Sequence, residues 1–141
     1  FIFTPVQHWS ARGIADRNKS LWGGWFMKLK NETIYHAGDT GYSKDFIETK
    51  NKLGSPSLSL IPVGAYAPRW FMKTHHVNPS EAIQIAIDLE SEKNYGMHWG
   101  TFQLTDEEIL EPPKMLKESL KDQGLPDKFF NILKPGQVVA L

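Results

Sequence analysis

The chain has 141 residues, 40% of them hydrophobic, with sixteen basic and sixteen acidic side chains that cancel to a formal net charge of zero. That length and apolar content suit one domain, and the balanced charge provides no long-range field to attract nucleic acid or an anionic membrane surface. Cysteine is absent, which removes disulfides, thiolate zinc sites and cysteine nucleophiles together.

Phe1–Pro5 reads as a strand closed by Pro5, and a loop follows through Gly13 to Ser20. The opening residues lack the charged leader of a signal peptide, and a start on Phe1 within a strand is taken to mean that residues precede it. Leu21–Leu29 and Thr33–Ala37 are apolar and aromatic, and the polar Lys30-Asn31-Glu32 between them suits a hairpin. Leu21–Leu29 falls far below the roughly 18–20 residues of a membrane-spanning helix. Ser43 is placed to cap a helix from Lys44 to about Leu53, ended by Gly54. Leu58–Val63 reads as a buried strand and Gly64–Val77 as a long loop.

Asn78-Pro79-Ser80-Glu81 combines a cap residue, proline at the first helical position and glutamate three residues past the cap. Ala82, Ile83, Ala86 and Ile87 then give one apolar helix face to pack on a sheet. Tyr95–His98 reads as a short strand. Thr105-Asp106-Glu107-Glu108 has a capping-box pattern that predicts a helix start, with Pro112 and Pro113 breaking and restarting it and Gly124 ending it. Phe129–Leu133 and Gln137–Leu141 read as closing strands. Strands alternating with helices predict an α/β domain with helices on one or both sheet faces.

Three polar residues lie where a strand should run out into a loop: His8 in Pro5-Val6-Gln7-His8-Trp9, Asp39 in Ala37-Gly38-Asp39-Thr40-Gly41, and His98 in Gly96-Met97-His98-Trp99-Gly100. A carboxylate and two imidazoles delivered by successive strand ends make an oxygen-and-nitrogen set of the kind that binds zinc and activates water. The plainer alternatives are an Asx-turn or helix-cap role for Asp39, a packed or surface His8, and a hydrogen-bonded core His98. Adjacent His75 and His76 point in opposite directions if extended, so at most one enters a site. His76, next to the helix start, is the better candidate, as proton shuttle or substrate ligand. His36 is assigned no chemistry, and Trp22 and Trp25 read as core or interface aromatics. Arg69, Trp70, Phe71, Met72 and Lys73 form a cationic, aromatic cluster that either packs under its loop or forms a greasy wall for an amphiphile.

Seven collinear segments carry a resemblance: Thr4–Ser10, Leu21–Gly23, Ala37–Tyr42, Ile61–Tyr66, Pro68–Lys73, His76–Pro79 and His98–Phe102. They resemble the metallo-β-lactamase superfamily, and within it the N-acyl-phosphatidylethanolamine-hydrolysing phospholipase D group and its bacterial relatives. The resemblance implies a two-zinc phosphodiesterase with His8, Asp39 and His98 as metal ligands. By the same resemblance Asp39 would bridge the metals and Asp39 and His76 would be catalytic, and Tyr66, Arg69, Trp70, Phe71 and Met72 are expected to contact a phospholipid substrate. The family's His-x-His-x-Asp-His motif occurs nowhere in these residues. Residues 1–141 are therefore expected to be the C-terminal half of a four-layer αββα sandwich, one mixed sheet with helices on its outer face, without the upstream half. Alone, it is expected to be inactive, to bind zinc weakly and to self-associate through an exposed inner sheet face. Two alternatives stand beside the phospholipase: a hydrolase of this fold acting on a lactone or a nucleic-acid phosphodiester, and a non-catalytic remnant serving as a binding module. No nucleic-acid partner is expected, and the compartment is left open between cytoplasm and membrane periphery.

Overall fold

Strand alternation sets the two faces of the sheet. In β2 (Gly24–Lys28) Phe26 is fully buried while Trp25 on its flank is exposed, and in β3 (Thr33–His36) Tyr35 is buried between half-buried Ile34 and His36. With β1 (Ile2–Thr4), β4 (Leu58–Pro62), β5 (Lys93–Met97) and β6 (Asn131–Ile132) they form one six-stranded sheet, arranged in chain order. The middle strand of the first three, β2, is antiparallel to both β1 and β3, and the last four strands are mutually parallel. The computed structural model describes residues 1–139.

Each parallel step needs a crossover, and here each carries a helix: α1 (Asp45–Leu53), α3 (Pro79–Leu89) and α4 (Glu111–Asp122). All three crossovers advance in the same direction across the sheet, so right-handed connections place all three helices on one face. Contacts of α3 with both α1 and α4 fit that arrangement. Phe26, Tyr35, Ile61 and Val63 from the sheet pack there against Phe46, Ile83, Ala86, Leu89, Leu116 and Leu120. On the opposite face Phe3, Trp25, His36, Leu60 and Tyr95 stand in register across five strands. Phe3 and Trp25 are 44% and 43% exposed, so this face keeps apolar surface in contact with solvent.

The α/β class and the single mixed sheet with its helix layer agree with the sequence reading, whereas several local expectations are corrected. The loop expected over Gly64–Val77 contains α2 (Arg69–Met72). The residue capping α1 is Lys44; Ser43 instead bonds the backbone and carboxylate of Asp45. The Thr105–Glu108 pattern opens no helix, because Glu107 binds a different backbone segment, as described below. Pro112 and Pro113 lie in the first turn of α4, where a missing N–H has no cost. In α3 Ile85 and Leu89 are buried and Ile87 is partly exposed, so the apolar face is rotated from the one expected. Phe129–Leu133 splits into a 3-10 turn, Asp127–Phe129, followed by the two residues of β6. Residues 137–139 are not strand, and 140–141 of that expected strand lie outside the described residues.

Candidate metal centre

Two reversals, β1 to β2 and β2 to β3, leave β1 running the same way as β3, β4 and β5. The loops leaving these four strands therefore emerge at one sheet edge, the usual place for ligand sites in α/β sheets. They carry His8, Asp39, His76 and His98. Hydrogen bonds donated by backbone N–H groups join the first three loops at residues next to the functional ones. Gly41 N–H donates to Gln7 O at 2.8 Å, Val77 N–H to Thr40 O at 2.8 Å, and Gln7 N–H to Thr40 Oγ1 at 3.0 Å. Two glycines permit the approach. Gly38 has φ +69° and sits so close to Gly23 that a Cβ would lie 2.7 Å from its carbonyl oxygen, while a Cβ on Gly64 would collide with the carbonyl oxygen of His98.

Asp39 is the hub. Its Oδ1 lies 3.0 Å from His76 Nδ1, and its Oδ2 lies 3.3 Å from His8 Nε2 and 3.5 Å from His98 Nε2. The ligating atoms of His8, Asp39 and His76 all fall within 4.8 Å of one another. His8 Nε2, Asp39 Oδ1 and His76 Nδ1 are buried, and each meets no hydrogen-bonding group outside this cluster. Buried polar atoms are normally paired. The other nitrogen of His8 is: Nδ1 donates to Trp9 O at 2.9 Å, because a carbonyl can only accept. In the neutral ring that leaves the lone pair on Nε2, facing a carboxylate. Lone pairs converging on one buried point fit a cation, and His8, Asp39 and His76 can hold a metal ion there.

The electrostatics agree. Burial opposes ionisation of Asp39, but the adjacent imidazoles of His76 and His8 and the charge of His98 overcome it and hold the carboxyl well below the usual carboxylate range. The Asp39 contact raises His8 above an ordinary imidazole, partly offset by burial. Burial lowers His36, whose Nδ1 accepts from Gly38 N–H within the turn leading to Asp39.

A family described as a beta-lactamase superfamily domain matches residues 1–99, most of the chain. The chain belongs to this family. It is 41% identical over 137 residues to N-acyl-phosphatidylethanolamine-hydrolyzing phospholipase D 1 of Caenorhabditis elegans, covering 95% of this chain and 38% of that protein. It is 42% identical over 130 residues to the mitochondrial N-acyl-phosphatidylethanolamine-hydrolyzing phospholipase D of Saccharomyces cerevisiae, covering 90% of this chain and 28% of that protein. The chain thus spans well under half the length of both relatives. Among solved structures, an isothiocyanate hydrolase from Delia radicum gut bacteria superposes with a TM-score of 0.71 at 20% identity, over 99% of this chain and 52% of that one. The metallo-beta-lactamase fold protein YhfI of Bacillus subtilis superposes with a TM-score of 0.61 at 18% identity, over 96% of this chain and 47% of that one, which supports that fold here.

Within this beta-lactamase superfamily domain, the residues singled out in the sequence are distributed as follows. His8, Asp39, His76 and His98 are together. His75 lies on the rim, with Nδ1 2.7 Å from Thr74 Oγ1. Trp70 and Phe71 are 87% and 65% exposed with ring centroids 5.7 Å apart, and Met72 is half-buried. Tyr66 is buried and donates to Glu111 Oε1 at 2.6 Å, and Arg69 bonds to Tyr66, His76 and Glu81. A cavity of about 300 Å³ beside His98 is lined by Trp99, Thr101, Phe102 and Leu104. Trp22 packs on the core with Nε1 donating to Val6 O, whereas Trp25 lies on the open sheet face.

Thr40 escaped the sequence reading although it stands in the same motif as Asp39. It is fully buried, accepts from Gln7 N–H and donates to Gly41 O at 2.7 Å, so one hydroxyl holds the His8 and Asp39 loops together. Thr40→Val conserves volume but leaves the Gln7 N–H without a partner. A loss of about 1–3 kcal/mol is expected, readable as a lowered denaturation midpoint in urea at unchanged slope.

Proposed function

We propose that this chain supplies part of the metal centre of a zinc-dependent phosphodiesterase that hydrolyses an N-acylated glycerophospholipid at its phosphodiester. The observation that carries the proposal is the convergence of His8, Asp39, His76 and His98 in a chain 41–42% identical to two enzymes named for that reaction. A zinc ion on these residues supplies Lewis acidity and lowers the pKa of a bound water towards about 7. In this reading His8, Asp39, His76 and His98 would hold the metal, with further ligands from outside residues 1–141.

The chain's own side chains prepare the site. Asp39 stays ionised at neutral pH and provides charge without a proton to lose. Trp9 O fixes the His8 tautomer so that Nε2 faces the centre. Trp99, Phe102 and Leu104 give the site an apolar flank for an acyl chain, and exposed Trp70 and Phe71, with Lys73 beside them, face an amphiphile at the rim. No helix among the described residues is long and apolar enough to cross a membrane.

Hydrolysis of the phosphodiester inserts water oxygen at phosphorus, yields a phosphomonoester and releases an alcohol that gains a proton. The test uses the full-length protein with zinc, N-acylphosphatidylethanolamine in mixed micelles and ¹⁸O-labelled water. One ¹⁸O in the phosphatidic acid product, with free N-acylethanolamine beside it, is expected. Release of fatty acid instead, or no turnover of this lipid while a lactone or a nucleic-acid phosphodiester is cleaved, would reject the assignment.

A further inference from the structure

Arg69 was expected to meet the substrate, but its guanidinium is spread over three partners inside the fold. Nη1 donates to His76 O at 2.8 Å and to Tyr66 O at 3.3 Å, while Nη2 donates to Glu81 Oε2 at 2.7 Å. Glu81 Oε2 also accepts from Asn78 N–H, and Asn78 Oδ1 accepts from Glu81 N–H, so the acid that neutralises Arg69 is a member of the capping box of α3. The guanidinium joins the start of the 64–77 segment, its end, and the first turn of a helix packed in the core.

The consequence falls on His76. Its backbone N–H donates to Met72 O at 2.8 Å, its carbonyl oxygen accepts from Arg69, and the next N–H, at Val77, donates to Thr40 O at 2.8 Å. Of these three tethers, only the Arg69 bond comes from a side chain, and only it connects His76 to α3. We propose that Arg69 is a positioning residue, which sets the His76 backbone so that the ring presents Nδ1 to Asp39 and to the cation the cluster holds. This rests on the metal reading of His76 given above. The chemistry asks for arginine: a planar fork reaches a carbonyl with one nitrogen and a carboxylate with the other, which a single ammonium cannot do at these spacings.

The test is a double-mutant cycle read as zinc affinity, by chelator competition on the full-length protein, with ring ¹⁵N spectra of metal-free samples alongside. Arg69→Gln and Arg69→Lys are each expected to weaken zinc binding about 10–100-fold, the usual range for a residue orienting a ligand. In a His76→Ala background, Arg69→Gln is expected to cause no further loss, because its effect runs through that ring. The His76 ring resonances should move in Arg69→Gln while those of His36 remain. An equal loss in both backgrounds, full rescue by Arg69→Lys, or unmoved His76 resonances would each overturn the proposal. If His76→Ala alone leaves zinc affinity intact, the ligand assignment of His76 fails, and the ring spectra still decide whether Arg69 positions it.

Discussion

Asp39→Ala should empty the metal centre and lower hydrolysis by on the order of 10³-fold or more. Every imidazole of the cluster is arranged about this one carboxylate, on Oδ1 for His76 and on Oδ2 for His8 and His98. Its removal takes away the only anionic group of the metal-binding set of described residues, and with it the feature that can link two ions. Metal-assisted charge stabilisation contributes several kcal/mol to such reactions, and each 1.4 kcal/mol is a factor of ten. Metal analysis of purified wild type, Asp39→Ala and Asp39→Asn checks the expectation. Asparagine preserves shape and one carbonyl oxygen but not charge, so its metal content should fall nearly as far. Loss of both ions together supports a bridging Asp39, whereas retention of full metal content in Asp39→Ala would show that the cluster is not the binding site. Circular dichroism of metal-free samples separates either result from unfolding.

What could be read in the sequence divides along a physical line. Features written in local chemistry were legible: the Asn78–Glu81 cap, the turn glycines around Asp39, and the strand ends bearing His8 and His98. Their convergence was not derivable from spacing. It depends on β1 running in the same direction as β3 to β5, a property of pairing across the sheet. The role of His76 depended on one further feature. Only the fold shows its Nδ1 buried against Asp39 Oδ1 and within 4.8 Å of the His8 ligating nitrogen, which turns an expected proton shuttle into a ligand candidate. Arg69 and Tyr66 look like substrate-facing polar groups when read in a loop, and nothing local reveals that Glu81 and Glu111 engage them. Thr105–Glu108 misleads for the same reason. A cap pattern specifies that a carboxylate will find free N–H groups, but not which ones.

Glu107→Ala should be the most destabilising single change outside the apolar core, at about 3 kcal/mol, equivalent to roughly 10 °C in Tm for a domain of this size. The carboxylate is buried and its two oxygens receive three successive backbone donors: Ala65 N–H at 2.6 Å and Tyr66 N–H at 3.2 Å on Oε1, and Ala67 N–H at 2.9 Å on Oε2. Alanine leaves three N–H groups without acceptors, at about 1 kcal/mol or more each. The same carboxylate also holds Ala65 at φ +63°, a left-handed conformation unfavourable for a residue with a Cβ. Adding Ala65→Gly to Glu107→Ala should therefore recover part of the loss, which a bare count of hydrogen bonds would not predict.

The pH dependence has a definite sign. Burial opposes ionisation of Glu107, but bonds from the Thr105 hydroxyl and from backbone amides at Ala67, Glu107 and Tyr66 prevail and lower its pKa in the folded chain. A carboxylate depressed on folding stabilises fully above its unfolded pKa, about 4.3, and loses that contribution as pH falls through the folded value. Glu107→Gln keeps one carbonyl acceptor and cannot titrate. The stability gap between wild type and Glu107→Gln, measured by urea unfolding, should be widest at neutral pH and should close as the pH is taken below about 4. A gap that stays constant across that range would mean that the shape of the side chain, and not its charge, holds the 65–67 turn beside His98.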